Sequence, residues 1–438
     1  MRALVDGANL KDVKWLNRQV VFHTLLRQQP LTRSELAAVT GLTRASITNI
    51  INEFLRRGLV RPAGPSRESR ASRGAGPLRL EPRAGCAVGI NVGRSRTQGA
   101  VLGLDGSVLA ADEWPWDLRE GVDRLLEHLQ NSIDALLARV GSVPLIGIGV
   151  TAPGPFSVQT TARAELSAAP RHRVPYNWAG YPVGARLRER YGVPVSLEND
   201  ANAATLAEQW LGAGREFESF AHLAVGTGIG AGAVLGRELY RGRFGVALEL
   251  GHVTIDLHGP PCVCGNVGCL ELYVALPATA ARARRRLPEL LGPLDDAAVI
   301  AWLGEAAGAM HPVALEIVDE VGYYLGVASV TIVNLLNPEA IIVGGLELGD
   351  LAPERLAAKV AQVVRERSFS VVADQVRVLP SALGKRGAVL GAGLLALLDF
   401  SPLQGESIEA STPLGTPRLQ ARSLASATVG PRGRDEGG

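Results

Sequence analysis

The first sixty residues place apolar side chains with the period of a helix. Val21 with Leu25 and Phe22 with Leu26 are spaced i,i+4, which predicts a helix from about Trp15 to Gln29, ended by Pro30. Thr32-Arg33-Ser34-Glu35 has the form of a capping box and opens a short helix through Val39. Gly41 then makes a turn, and Thr43 caps a third helix running to about Arg57, with Ile47, Ile50, Ile51, Phe54 and Leu55 as its buried stripe. Arg44, Ala45, Ser46, Thr48 and Asn49 crowd the first turns of that helix on its other side. This is the layout of a helix-turn-helix, whose second helix offers its N-terminal residues to the major groove. A plain three-helix bundle would bury the same stripe. Gly58-Leu59-Val60-Arg61 predicts a wing strand and Pro77-Leu78-Arg79-Leu80 its return.

From Cys86 the pattern changes to apolar runs punctuated by glycine. Residues 87–93 read as a strand and tight turn, followed by a second strand over 98–104 and an Asp105-Gly106 turn. The theme returns at Leu223–Gly230 and Ala231–Leu235, about 135 residues later, which suggests an internal duplication. Between and after the hairpins the pattern predicts helices near 122–140, 312–336 and 353–367, and strands at 145–150, 195–197 and 340–343. Such alternation argues for two α/β lobes with a cleft between them. The glycine-lined turns either cradle phosphates with backbone N–H groups or serve as packing devices.

Composition narrows the class. The chain has 438 residues, too many for one ordinary core, and its net charge of +2 says little as a whole. Its distribution says more: between Arg61 and Arg83 there are six arginines and two glutamates in a stretch rich in Gly, Ser and Pro. That basic strip suits a phosphate backbone or is a solvated linker; next to a helix-turn-helix, DNA binding is the better reading, with Arg61 joining the contact residues. No apolar run approaches the roughly 18 residues of a membrane span, and no secretory signal opens the chain. A cytoplasmic, nucleoid-associated protein is expected. The organisation expected is a DNA-binding domain over 1–83, an α/β body over 84–400, and a disordered tail over 401–438, where Ser, Gly, Pro and Arg dominate without periodicity.

The segment from His252 to Glu271 is chemically the most specific. Three of the four cysteines, Cys262, Cys264 and Cys269, fall within it, and His252 precedes them by ten residues. Three thiolates and an imidazole make a closed tetrahedral set that suits structural zinc. A loop with chance cysteines is the plain alternative; a disulfide fits less well, since Cys86 is distant in sequence. Glu249 and Glu271 flank the loop, so a metal here would pin two carboxylates into one wall. Glu198-Asn199-Asp200 sits where a strand gives way to a helix. There Asp200 could act as general base toward a hydroxyl, oriented by Asn199, or simply cap the helix. Several carboxylates and an amide in one cleft suit a polyhydroxylated ligand such as a sugar.

These motifs together resemble the ROK family, which groups sugar-responsive repressors with sugar kinases. The resemblance rests on Gly226-Thr227-Gly228-Ile229-Gly230, Glu249-Leu250-Gly251-His252, and Cys262-x-Cys264-Gly265-x-x-Gly268-Cys269-x-Glu271. Thr151-Ala152-Pro153-Gly154-Pro155, Glu198-Asn199-Asp200-Ala201-Asn202, and Asn337-Pro338-Glu339 through Gly344-Gly345 match too. It covers about Trp15 to Leu398. It implies a two-lobed, actin-like body of duplicated ribonuclease H-like units behind a winged helix-turn-helix, which the kinases lack. It implies sugar contacts from Asn199, Asp200, Glu249, His252 and Glu271, with Asp200 as base in kinase members, and zinc at His252, Cys262, Cys264 and Cys269.

Departures from the family pattern point to a branch. Kinase members carry Asp-x-Gly-x-Thr in the first hairpin, where this chain has Asn91-Val92-Gly93-Arg94-Ser95. Asparagine lacks the charge that draws Mg²⁺ toward phosphates, and Arg94 adds bulk and positive charge. No catalytic residue, ATP or Mg²⁺ is therefore expected. Leu248 stands where glycine is usual, and Arg73-Gly74-Ala75-Gly76-Pro77 replaces the usual Gly-Arg-Arg-Pro wing. The expectation is a homodimeric or homotetrameric repressor on a palindromic operator, released by a monosaccharide. The alternatives are a sugar kinase that retains a DNA-binding domain, and a regulator answering to a partner protein.

Overall fold

The structure is a computed structural model that describes residues 10–64, 76–117, 122–154, 182–243, 245–344 and 352–400. The expected wing tip, the expected tail, Pro155 and Gly345 lie outside these residues. The chain begins with three helices, α1 (Leu10–Gln28), α2 (Arg33–Thr40) and α3 (Arg44–Arg56), followed by β1 (Val60–Pro62) and β2 (Leu78–Leu80). The capping box forms as the sequence implies: Thr32 Oγ1 accepts from Glu35 N, and the Glu35 carboxylate accepts from Thr32 N. Thr43 caps α3 through Ser46 N. Gly41 ends α2 with φ +70, a turn that L-residues rarely make. Ile47, Ile50, Ile51 and Phe54 are buried, but Leu55 is 36% exposed, against expectation. The apolar face of α3 is narrower than its run of apolar residues, so position 55 falls on its solvent edge.

The body holds two five-stranded sheets. In lobe I, β3 (Cys86–Val92), β4 (Arg96–Gly103) and β5 (Val108–Pro115) form an antiparallel meander; β6 (Leu145–Ala152) and β7 (Val195–Asn199) add in parallel, giving the order β5-β4-β3-β6-β7. Lobe II repeats the plan with β8 (Phe220–Val225), β9 (Ile229–Leu235), β10 (Glu238–Leu239), β11 (Ala340–Gly344) and β12 (Arg377–Pro380), in the order β10-β9-β8-β11-β12. The same strand order, antiparallel then parallel, bears out the duplication. The main helices of the body are α4 (Val122–Val140), α5 (Val183–Tyr191), α6 (Asp200–Leu211), α7 (Leu276–Arg286), α8 (Asp296–Gly308), α9 (Pro312–Leu336), α10 (Ala352–Arg367) and α11 (Gly387–Leu398). Among the described residues no single helix is long and apolar enough to cross a membrane.

Helix α11 is the hub of the packing. A β-carbon on Gly149 of β6 would lie 1.8 Å from Ala392 O, and one on Gly391 would lie 1.9 Å from Ala203 O, so glycine is required where α11 meets the lobe I sheet and where it meets α6. The core of the N-terminal domain does not close on itself. Val21, Phe22, Leu25 and Leu26 join one buried cluster with Leu102, Leu206, Trp210, Leu394, Leu397 and Phe400 of the body. Burial of this area fixes α1 against the body by the hydrophobic effect, at roughly 1.5–3 kcal/mol for each large side chain fully removed from water.

Candidate functional site

Strand β7 delivers Glu198 and Asn199 to the edge of the cleft, and α6 begins there. Asn199 is the cap: its Oδ1 accepts from Ala201 N at 2.9 Å and Asn202 N at 3.1 Å, while its Nδ2 donates to Gly154 O at 3.2 Å. The capping role weighed for Asp200 thus belongs to Asn199, and Asn199 orients the helix start and not the Asp200 carboxylate. Asp200 is the first helical residue and takes a further bond from Ala201 N at 2.9 Å. Glu198, buried beneath them, accepts from Asn202 Nδ2 at 3.1 Å and pairs with Arg241 at 2.6 Å. Neither Glu198 nor Arg241 received a role from the sequence. Glu198 lay inside a quoted motif, but Arg241 sits in a loop whose approach no periodicity predicts.

Three carboxyl groups, Asp200 at the start of α6 with Glu249 and Glu271, lie close enough for the charges of Asp200 and Glu271 to act on Glu249. Burial pushes the Asp200 carboxyl up, against the opposing pull of Ala201 N–H and the Arg94 guanidinium. Glu249 is pushed up to about 7, first by desolvation and then by the negative charges of Asp200 and Glu271. The Glu271 carboxylate accepts from Ile229 N at 3.3 Å and so ties the metal-loop end to the tip of the second hairpin. From the opposite lobe Arg94 crosses to that tip, its Nη1 donating to Thr227 O at 3.3 Å. A β-carbon on Gly228 would stand 2.9 Å from Arg94 Nη2 and 2.7 Å from Glu271 Oε2, so glycine leaves room for both side chains. Asn91, at the end of β3, accepts from the buried Thr151 hydroxyl at 3.1 Å. Leu248 holds φ +58, a conformation that favours glycine, and packs against the lobe II core. The leucine therefore holds a glycine-type backbone conformation.

His252, Cys262, Cys264 and Cys269 bring one ligand atom each within 4.8 Å of all the others and could hold a metal ion. His252 turns Nδ1 to Cys262 Sγ at 3.7 Å, and Cys264 Sγ lies 3.7 Å from Cys269 Sγ. Burial first, then the neighbouring thiols, pushes the Cys269 thiol up; a bound cation would favour its thiolate form. The loop is held by backbone pairing of Thr254 with Cys269 and Pro261 with Val267, and by Asn266 Nδ2 donating to His252 O.

On the helix-turn-helix, Arg44, Ala45 and Asn49 are exposed, and Ser46 and Thr48 partly so, at the start of α3. Arg61 on the wing strand is paired with Glu81 at 2.8 Å. Its guanidinium is therefore shared with a carboxylate on the neighbouring strand's exit.

Residues 87–398 match the ROK family, and residues 20–71 match the MarR family. The chain belongs to the ROK family. Over 402 residues, 90% of this chain and 98% of the relative, it is 28% identical to the xylose repressor of Bacillus subtilis strain 168. It is 32% identical to the glucokinase of Halalkalibacterium halodurans, but there only 70% of this chain is covered, against 94% of the kinase. Among solved structures, the crystal structure of a ROK family transcriptional regulator, a homologue of the Escherichia coli MLC protein, aligns with a TM-score of 0.69 and 26% identity, covering 88% of this chain and 97% of that one. The ROK likeness to the repressors thus runs through the helix-turn-helix, while the kinase likeness is confined to the body.

Proposed function

We propose that this protein is a DNA-binding transcriptional repressor whose operator affinity is set by a monosaccharide in the interlobe cleft. One observation carries the reading: a single helix joins the two ends of the process. Helix α6 presents Asp200 to the cleft at its first turn and Trp210 to α1 of the helix-turn-helix at its last. Trp210 meets the His23 ring edge-on at 5.7 Å and lies under the Arg27 guanidinium at 5.8 Å. Helix α11, packed on α6, ends where Leu398 O faces His23 Nε2 at 3.2 Å and Phe400 O accepts from Gln19 Nε2 at 2.8 Å. A sugar that prefers one setting of α6 would shift α1 with it; a tenfold change in operator affinity needs about 1.4 kcal/mol of differential binding.

In this reading Asp200, Glu249 and Glu271 accept sugar hydroxyls, with Asn199 and the free edge of His252 beside them. Arg44, Ser46, Thr48 and Asn49 meet base edges or backbone in the major groove, Ala45 packs there, and Arg61 meets phosphate. His252, Cys262, Cys264 and Cys269 hold structural zinc. A tetrahedron with zinc–sulfur bonds of about 2.3 Å has sulfur–sulfur edges of about 3.8 Å, close to the 3.7 Å between Cys264 and Cys269. The zinc would fix the Glu249 and Glu271 wall. A two-fold dimer would match a palindromic operator, and dimers could pair further into tetramers.

The kinase alternative draws on the body's likeness to glucokinase. Against it stand Asn91, Arg94 and Ser95 in the first hairpin, where a carboxylate and small residues would serve metal and phosphates. Asn91 keeps the shape without the charge, and Arg94 spans toward Thr227. The test is titration calorimetry with a sugar panel beside a coupled ADP assay with ATP and Mg²⁺. Binding of a monosaccharide without ATP-dependent phosphorylation is expected; turnover at ordinary enzymatic rates would overturn the reading in favour of a kinase.

A further inference from the structure

A second cavity lies outside the cleft, at the joint between α1 and the body. It has a volume of about 510 Å³ and is lined by Arg27 and Gln28 of the helix-turn-helix domain, Gly212, Arg215 and Glu216 after α6, and Leu379 of β12. Arg27 is only 9% exposed, yet its guanidinium donates to a carbonyl, Arg215 O at 2.7 Å, and, among the described residues, to no carboxylate in hydrogen-bond or ion-pair contact. Arg215 returns the bond to Arg27 O. Arg237, on the neighbouring strand exit, pairs with Glu218 at 3.4 Å. Arg27 is thus a cation removed from water and set among like charges: burial first, then Arg237 and Arg215, holds its guanidinium down to about 10. A buried charge with no counter-charge is costly, and like neighbours raise that cost. The Trp210 ring under the guanidinium and the Arg215 carbonyl relieve it in part, but among the described residues the cavity's own lining offers one carboxylate, Glu216 at the exposed rim.

We propose that this cavity is an anion site, filled by phosphate either free or as the phosphoryl group of a small metabolite. Arginine suits the part, since its planar fork meets phosphate oxygens in pairs. The bound anion would bridge Arg27 of the DNA-binding domain to Arg215 of the body, with the charge of Arg237 nearby, and so clamp the joint that α6 reaches from the other side. The site is separate from the sugar cleft and does not depend on the repressor reading.

The test is thermal melting of the full-length protein titrated with sodium phosphate, with sodium chloride at matched ionic strength as control. A saturable rise in Tm with phosphate alone is expected. Arg215→Gln should weaken the apparent phosphate affinity at least about tenfold and Arg237→Gln by less, each read as the phosphate-induced rise over the variant's own phosphate-free Tm, since Arg215 also bonds Arg27 O and Arg237 pairs with Glu218. Glucose 6-phosphate is compared with inorganic phosphate in an Asp200→Asn background, which weakens binding through the sugar cleft, with glucose itself as the control for what binding there remains. Tighter binding of the ester would assign a phosphorylated metabolite, and equal binding free phosphate. Equal response to phosphate and chloride, or unchanged phosphate binding in both arginine variants, would overturn the proposal. Phosphate binding here in a protein that ignores every sugar would overturn only the sugar reading.

Discussion

The β3–β4 hairpin of lobe I and the β8–β9 hairpin of lobe II hold equivalent places in two sheets of the same strand order. Their tips differ in chemistry. The lobe II tip is Gly226-Thr227-Gly228, backbone with little side chain, tied to Glu271 through Ile229 N. The lobe I tip carries Asn91, bonded to Thr151, and Arg94, which reaches across to Thr227. The duplication preserved the framework of near-continuously buried core strands, which leaves little room for change, whereas the partly exposed tips diverged. One tip leaves room beside the Glu271 carboxylate; the other carries the Arg94 cation. In the proposed reading the same body keeps a sugar wall while its phosphate side is changed.

Breaking the lobe II wall should have the largest effect. Cys264→Ser should take metal content from about one ion per chain to none by elemental analysis, and weaken sugar binding by an order of magnitude or more through the loosened Glu249 and Glu271. Full metal retention would refute the ligand set. Acid should act next, at the joint and not at either tip. Burial holds His23 down from its ordinary 6.5 to about 4, against the partial support of Leu398 O. Because the unfolded chain binds the proton first, stability is full above pH 6.5 and falls as pH drops toward 4, by up to about 3 kcal/mol. Glu249, raised to about 7, contributes the opposite slope over part of that window, so the His23 contribution is read as the difference between denaturant melts of the wild type and of His23→Leu; the same pH dependence in both would place the acid sensitivity elsewhere.

Asp200→Asn should cost about 1.5–3 kcal/mol of sugar affinity by calorimetry, the worth of hydrogen bonds to a charged group. No loss would move the sugar off α6. Arg44→Ala should weaken specific operator binding by about 1–3 kcal/mol if the guanidinium reads a base edge; fluorescence anisotropy on operator and scrambled DNA would show whether the loss is specific. The smallest change is expected from Asn91→Asp. It restores one charge to the lobe I tip but leaves Arg94 in place, so ATP-dependent turnover should remain undetectable. Clear turnover would mean that one charge separates this tip from a kinase's.

Much of this was legible in the residues. The capping box at Thr32, the cap at Thr43, the glycine-tipped hairpins and the convergence of His252 with three cysteines depend on local chemistry, which a sequence states directly. Leu55 was misplaced because an apolar residue at the margin of a helical stripe can fall on either side of it. The cap at Asn199 in place of Asp200 turns on a one-residue shift in where α6 begins, a boundary set by the exit of β7 from its sheet. Arg241 beneath the site, and the Arg27, Arg215 and Arg237 cluster, could not be read at all. They come from segments distant in sequence: Arg241 meets Glu198 through the packing of the body alone, and Arg27 meets Arg215 because α1 is buried against the body, packing facts with no local signature.

The most direct measurement is operator binding by the full-length protein at fixed salt, using DNA selected from the source genome, with and without each member of a monosaccharide panel. The account predicts specific binding that one sugar weakens at least about tenfold, with Asp200→Asn binding the operator normally but no longer responding. Specific binding that no sugar alters, or no specific binding at all, would contradict it.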